Sequence, residues 1–460
     1  MPNSEALCYA YDKVVEGCEE AQSSISVSHS SYRLTSDEVF TVYDAVLDDH
    51  PEFFWLIDGV QASGYGNVIT TIYLYPPADA AATRAVLEAR VNEMTAGLEG
   101  KSDYEKSRIL HDRLCETVTY AYTDNDQSVF GSLLEGQSVC AGYARAYQLL
   151  LQRVGVPAFC VTGYSRAQPH AWNLVQLDGE WYYTDVTWDD QTDNGGCIYY
   201  TYLNNTYNQI SETHIAVNFA EYLPHSTATA ANFYVKNGLV VDPSQPLDIQ
   251  KLAAGFKATY PPQIYCTGDS TESIYLVFDH LNDIVSKMMG KNTSFSCTGA
   301  GMLDRGIVFL LTVDHTHRYA TDIRQPSCTL AGLTTHRCTD CGYTTTETAS
   351  AIGHHKAWAT DDTHHTYLCE GCGWIEDSGE HIYDDDTDAD CDTCGHLRQI
   401  VTVIPGDADN NGKVNNRDLG RLQQYLNEWA VTVDFDACDL DGNGKVNNRD
   451  LGLLQRLLNE

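Results

Sequence analysis

The chain has 460 residues, 43% of them hydrophobic, enough for roughly three domains at about 100–200 residues each. Its 64 acidic side chains outweigh 28 basic ones, leaving a formal charge of −36. A field of that sign repels phosphate backbones and anionic lipid, so nucleic acid and membrane surfaces are disfavoured as partners and calcium is favoured. No run of about 18 apolar residues is present to span a bilayer. The opening MPNSEALCYAYDKV has neither the basic n-region nor the apolar h-region of a secretion signal.

Composition shifts suggest five parts. Residues 1 to 105 alternate a helical stretch, AAATRAVLEARVNEM, with a strand-like one, GNVITTIYLYPP, and read as a mixed α/β region. Residues 106–215 hold the first candidate site. In QSVCAGYARAY the apolar positions Ala144, Tyr147, Leu150, Leu151 and Val154 recur at helical spacing, with Ser138 as N-cap and Gly155 and Pro157 marking the end. Cys140 falls in the first turn of that helix, where the dipole favours a thiolate. AFCVTGYS (158–165) reads as a strand with Cys160 in its core. HAWNLVQL and EWYYTDVTW read as two more, joined by Asp178-Gly179, a strong hairpin signal.

A two-residue turn pairs Leu177 with Glu180, so Trp172 faces Asp185 and His170 faces Thr187. Asp185 and Asp189 are then both diagonal neighbours of His170, within reach at about 7–8 Å between backbones. Either carboxylate can hold the second imidazole nitrogen, and register alone does not choose between them. Asp190 points to the other face.

SVCAGYARAYQLLLQRVGVPAFCVTGY, HAWNLVQLDGEWYYTDVTWDD and YYTYLNN, in that order, resemble the core of the transglutaminase-like superfamily, whose fold is related to papain-type cysteine proteases. The resemblance implies Cys140 as nucleophile, His170 as base and acid, and Asp185 rather than Asp189 as the acid that orients it. It offers no match for the oxyanion-hole side chain beyond Gln137. The chemistry implied is attack of a thiolate on an amide carbonyl through a thioester. Peptide hydrolysis is the expected outcome. Protein-glutamine cross-linking and a non-enzymatic scaffold or binding module are the alternatives.

Residues 216–313 look mixed α/β and carry no obvious site. Residues 314–398 contain seven of the sixteen cysteines, an odd number that cannot pair off internally. Three C-x-x-C-G units, Cys338-Cys341, Cys369-Cys372 and Cys391-Cys394, can each offer two thiolates to a structural zinc. By proximity, Cys328 and His354 (or His355) complete the first set, and His364 or His365 with His381 the second. The third would draw on His381 or His396. His317 and His336 stand nearby. The pattern also resembles repeats in secreted proteins of anaerobic Gram-positive bacteria.

Residues 399–460 repeat GKVNNRDLG at 412–420 and 444–452. Each copy closes a twelve-residue calcium loop with oxygen donors at positions 1, 3, 5, 7, 9 and 12 and glycine at 6. The donors are Asp407, Asp409, Asn411, the Lys413 carbonyl, Asn415 and Asp418, then Asp439, Asp441, Asn443, the Lys445 carbonyl, Asn447 and Asp450. A helix follows each loop. The pair resembles a dockerin, which implies two calcium ions, a cohesin module of a scaffoldin as partner, and contacts through Asn416, Arg417, Asn448 and Arg449. It also implies a secreted, extracellular, cellulosome-associated protein from a polysaccharide-degrading bacterium, although nothing here resembles a glycosidase. The expected class is thus α+β: a papain-like, transglutaminase-like catalytic core, a small zinc-type Cys/His segment and an all-α calcium-binding dockerin.

Overall fold

A computed structural model describes residues 4–192, 197–217, 220–328, 331–385, 388–398 and 403–459. The chain forms two compact units, one of residues 1–357 with 368–376, the other of residues 358–367 with 377–460.

The first unit begins with helices Ser4–Glu19 and Ser36–Asp49 against a three-stranded sheet of Ser24–Ser26, Val68–Tyr73 and Gln61–Tyr65. Thr35 starts the second helix through a capping box with Glu38. The two helices and the sheet share a core around Val14, Ile25, Val46, Trp55 and Ile72. Helix Ala80–Thr95 turns Leu87, Val91 and Met94 toward a different core, the one that surrounds helix Cys140–Arg153. Leu110 and Leu114 of helix Asp103–Cys115 join it, with Tyr147, Leu150 and Leu151. That second core immobilises the cysteine helix from three sides.

The helix packs on a four-stranded sheet, ordered His214–Ala216, Ala158–Ser165, Gln168–Leu177, Glu180–Thr184. The Asp178-Gly179 turn has both φ angles positive, 51° and 85°, as a two-residue hairpin loop requires. Leu177 pairs with Glu180 and Asn173 with Thr184, the register read from the sequence. The last strand is shorter than expected. It stops at Thr184 because Asp185 caps a helical turn, Val186–Asp189, with its Oδ1 accepting from Trp188 N at 3.1 Å. The cysteine helix also starts differently. Its N-cap is Val139 without a side-chain bond, because Ser138 is buried and donates to the Asp126 carbonyl at 2.5 Å.

Residues 220–313 build a third core from helices Ile249–Ala258, Ser270–Asp279 and Leu281–Met289 on a four-stranded sheet whose long hairpin is Phe295–Leu303 with Gly306–Val313. Two small three-stranded sheets follow: Tyr319–Arg324, Gly332–Cys338 and Thr344–Ala349, then Lys356–Thr360, His364–Cys369 and Ile375–Glu380. Near the C-terminus, helices Asn416–Leu426 and Asn448–Leu457 meet through Leu422 and Leu454, with Ala408 and Cys438. The α+β expectation holds. No helix among the described residues is long and apolar enough to cross a membrane.

Candidate active site and metal centres

Cys140 stands at the first position of its helix, half-buried against a patch of small side chains, Ala141, Ala144, Cys160 and Ala171. Those residues let the helix start close to the sheet that carries His170. Asn173 ties the two together, its Nδ2 donating to the Ala144 carbonyl at 2.8 Å. Gly142 permits the approach on the other side, since a Cβ there would lie 2.7 Å from the Asp126 carbonyl oxygen and closer still to Ser138 Oγ.

His170 lines the same cleft as Cys140 and interacts with its thiol, and His170 Nε2 lies 2.7 Å from Asp185 Oδ2. That leaves Nδ1 as the nitrogen for the sulfur. Hairpin register alone left Asp185 and Asp189 as rivals, and in the structure the two part. The helical turn that begins after Asp185 carries Asp189 away to His111 Nε2, at 3.2 Å, and to the backbone N–H of Tyr202. Burial pushes Asp189 up, to about 7, while Asp112 and Asp189 together outweigh burial to hold His111 at about 9. Asp189 serves this buried ion pair and does not reach His170.

One partner of Asp185 had no signal in the sequence. His214 Nε2 lies 2.9 Å from the same Oδ2, so two imidazoles share one carboxylate oxygen. His214 Nδ1 faces Thr213 Oγ1 at 2.8 Å. His214 arrives on an edge strand that pairs with Ala158–Ser165, far along the chain from the hairpin. Gly163 pairs with Ala216 of that strand, and a Cβ there would lie 2.1 Å from the Ile215 carbonyl oxygen.

The electrostatics follow from the packing. Trp172, Trp188 and Tyr202 surround His214, and Trp188 also flanks His170 with ring centroids 5.7 Å apart. Burial alone would push the imidazolium of His170 down, but the Asp185 carboxylate outweighs it and raises His170 to about 10. Burial likewise opposes ionisation of Asp185, yet His170 and His214 hold it well below the usual carboxylate range.

Two clefts of about 460 and 800 Å³ meet at Tyr120, Tyr122, Pro169 and His170. The smaller contains Cys140 and the larger Arg166 and Trp188. Gln127, rather than Gln137, lines the smaller cleft, with its Nε2 bound to Asp126 Oδ1. A larger cleft of about 950 Å³ near Tyr11 and Arg84 lies among residues without a nucleophile.

In the Cys/His segment the grouping by sequence proximity is wrong in part. Cys338 and Cys341 meet His315 and His317, not Cys328 and His354. Cys328 and His354 instead meet Cys369 and Cys372, whereas Cys391 and Cys394 meet His365 and His381. Antiparallel register is the cause. Tyr319 pairs with Cys338, which brings the residues just before Tyr319 beside the first C-x-x-C turn. His336, His355, His364 and His396 bond to Thr321, Glu370, Thr363 and Thr360. Each of the three clusters can hold a metal.

The two C-terminal loops have the same internal bonds. Asp407 Oδ1 and Oδ2 accept from the N–H of Asn411 and Gly412, as Asp439 does from Asn443 and Gly444. Asp418 and Asp450 each accept from the N-cap N–H, closing a capping box on Asn415 and Asn447. Gly412 and Gly444 have φ of 80° and 75°, the sharp turn the loop needs at its sixth position. The donors are hard oxygens on a tight curve and suit calcium. Arg417 and Arg449 each pair with a loop carboxylate, Asp409 and Asp441, yet stay about three-quarters exposed.

Comparison with known proteins matches two regions of the chain. Residues 88–186 match the transglutaminase-like superfamily core, and residues 405–459 match the dockerin type I domain. The chain is similar to the kyphoscoliosis peptidase of Mus musculus, 27% identical over 194 residues, covering 38% of this chain and 28% of that protein. The Homo sapiens kyphoscoliosis peptidase is 25% identical over 189 residues, 37% of this chain and 27% of its own. The chain thus spans less than a third of the length of these relatives. Among solved structures, a TGase overlaps 47% of this chain and 57% of its own at 14% identity and a TM-score of 0.23, too loose an overlay to argue from. The chain therefore joins a transglutaminase-like core to a C-terminal dockerin type I domain.

Proposed function

We propose that the protein is a cysteine peptidase, carried on a cellulosome, with Cys140 as nucleophile, His170 as general base and acid, and Asp185 as the residue that positions His170. The observation that carries this reading is that Cys140 and His170 line one open cleft, with His170 Nε2 held 2.7 Å from Asp185 Oδ2. His170 takes the thiol proton, and the sulfur attacks a peptide carbonyl. The tetrahedral adduct collapses to a thioester as the imidazolium protonates the leaving amine. Water, losing a proton to His170, then hydrolyses the thioester. The N–H groups of a helix's first turn lack intrahelical partners, and those at the start of the Cys140 helix would serve as oxyanion donors. Exposed Tyr122 and Tyr164 in the cleft suit an extended polypeptide. Hydrolysis is favoured over transfer to a lysine because water is always present. Incubation with a peptide library, with and without a primary amine, tests this: new carboxyl termini support hydrolysis, and amine incorporation alone would overturn it.

His214 positions Asp185. Removing its N–H costs a hydrogen bond to a charged group, about 1.5–3 kcal/mol, or about 10- to 100-fold in rate. His214→Phe should therefore lower kcat by about that factor with KM little changed, and His214→Gln, which keeps a donor, should recover part of it. Steady-state kinetics decides, and a pure KM effect would contradict the role.

The dockerin implies a cohesin partner. We propose two calcium ions, one per loop, and contact pairs Asn416-Arg417 and Asn448-Arg449 on near-identical faces. Chelation should abolish cohesin binding and unfold residues 405–459, because the loop carboxylates repel one another without a cation. In calorimetry with a cognate cohesin, changing one contact pair should leave affinity nearly intact and changing both should lose it. Secretion to the extracellular space, the five-part division of the chain, and zinc as the metal of the Cys/His segment belong to the same proposal.

A further inference from the structure

The segment from 315 to 394 has no separate hydrophobic core among the described residues, yet it is ordered around three cysteine turns of one design. In each, the glycine after the second cysteine adopts positive φ: Gly342 at 80°, Gly373 at 75° and Gly395 at 71°. Its N–H returns to the carbonyl of the first cysteine at 2.8–2.9 Å, and that cysteine's N–H reaches the residue after the glycine, Tyr343, Trp374 or His396. Backbone N–H groups also point at sulfur, from Asp340 to Cys338, Tyr343 to Cys341 and Ile382 to Cys391, each at 3.4 Å. Donors aimed at sulfur suit thiolates rather than thiols or disulfides.

A tetrahedral zinc with bonds of about 2.3 Å to sulfur and 2.0–2.1 Å to nitrogen sets ligand separations of about 3.8 Å between sulfurs and 3.5 Å between sulfur and nitrogen. The separations here are 3.5 Å for Cys328 Sγ to Cys369 Sγ, 3.3 Å for Cys372 Sγ to His354 Nδ1, and 3.3 and 3.5 Å for His315 Nε2 to Cys338 Sγ and His317 Nδ1 to Cys341 Sγ. In the last cluster they are 3.8 Å for His365 Nδ1 to Cys391 Sγ and 3.4 Å for His381 Nδ1 to Cys394 Sγ. A disulfide needs about 2.05 Å, so the Cys328–Cys369 pair is not one. Two histidines are also oriented by their second nitrogen: His315 Nδ1 faces the Val313 carbonyl and His381 Nε2 the Asp361 carbonyl, leaving the other nitrogen for a metal.

We propose three closed zinc sites: His315, His317, Cys338 and Cys341; Cys328, His354, Cys369 and Cys372; and His365, His381, Cys391 and Cys394. Each joins a cysteine turn to a segment upstream of it. The first fastens the turn after Gly332–Cys338 to the end of strand Gly306–Val313, and the second fastens the Cys369 turn to the residues around Cys328. Cys338 and Cys341 also pack into the core built by residues 220–313, and at the other two turns zinc takes the place of a core in ordering the segment. The proposal rests on the zinc reading of this segment and is independent of the chemistry at Cys140.

Elemental analysis of the full chain, purified under reducing conditions, should find three zinc equivalents beside calcium. Cys341→Ser, Cys372→Ser and Cys394→Ser should each remove one, and His317→Ala should weaken the first site where His336→Ala does not. X-ray absorption of the unsubstituted protein should give seven thiolates to five imidazoles across the three metals, a reading that needs no variant to fold. A count that one of these variants leaves unchanged overturns that site. Zinc-free protein, or disulfides at the C-x-x-C pairs, overturns the whole proposal. Peptide turnover is read separately and should persist in Cys394→Ser, so loss of zinc and loss of the Cys140 mechanism are distinguishable.

Discussion

Replacing Cys140 by alanine is expected to abolish peptide turnover, a loss on the order of 10⁶-fold in kcat if the residue acts as the nucleophile of a coupled set. No other thiol is placed to substitute. Cys160, in the adjoining strand, is buried and pushed up to about 12 by its surroundings, so it stays a thiol. Cys115 is fully buried beneath the short helix that follows Asp185, and its thiol is likewise raised by burial. The alanine variant should keep its fold, because Cys140 is half-exposed at a helix start and its removal leaves the caps and core intact. Active-site titration with a peptide substrate and circular dichroism on the same sample separate these outcomes. Retained turnover in a folded Cys140→Ala variant would end the proposal.

Asp185 and Asp189 are expected to fail in different ways. Asp185→Asn keeps the shape but loses the charge that orients and stabilises the imidazolium of His170, and about 10⁴-fold in kcat should go with it. The pH profile supplies a second readout. In the native protein the His170 imidazolium persists to about pH 10 because Asp185 outweighs burial, so the alkaline limb lies far above 6.5. The raised value also means that this pair's contribution to stability is complete below pH 6.5 as long as Asp185 stays ionised, and is lost as pH rises through about 10. In Asp185→Asn the limb should move down toward neutral pH. Asp189→Ala should instead cost stability, about 3–5 kcal/mol, because it leaves the fully buried His111 without one of its two carboxylates. Folded molecules of that variant should retain activity. Thermal or urea unfolding beside kinetics would show the contrast, and equal kinetic losses at both positions would contradict the assignment.

Local chemistry made much of this legible from the chain alone. The Asp178-Gly179 turn fixed the hairpin register, which placed His170 near Asp185, and the repeated GKVNNRDLG marked the two C-terminal loop-helix units. What escaped the sequence depended on contacts between distant segments. Asp189 drops out only because Asp185 starts a helical turn, where a strand pattern would have continued. His214 enters on a strand paired with Gly163, with no motif of its own to mark it. The Cys and His residues were grouped by nearness along the chain, whereas antiparallel pairing recruits His315 and His317 to the first cysteine turn. In each case residue type was informative and partner was not, because sheet register decides the partner.

The claim that Cys140 is an activated nucleophile is tested most directly by competitive thiol labelling at pH 6, with the sites of modification mapped by mass spectrometry. Cys8 is an exposed cysteine outside the active-site cleft and serves as the internal reference. If His170 draws the proton from Cys140, iodoacetamide should modify Cys140 well before Cys8 despite its lower exposure, and His170→Ala should remove that advantage. Cys140 reacting no faster than Cys8, in protein whose cleft is open and whose fold is intact, would contradict the account.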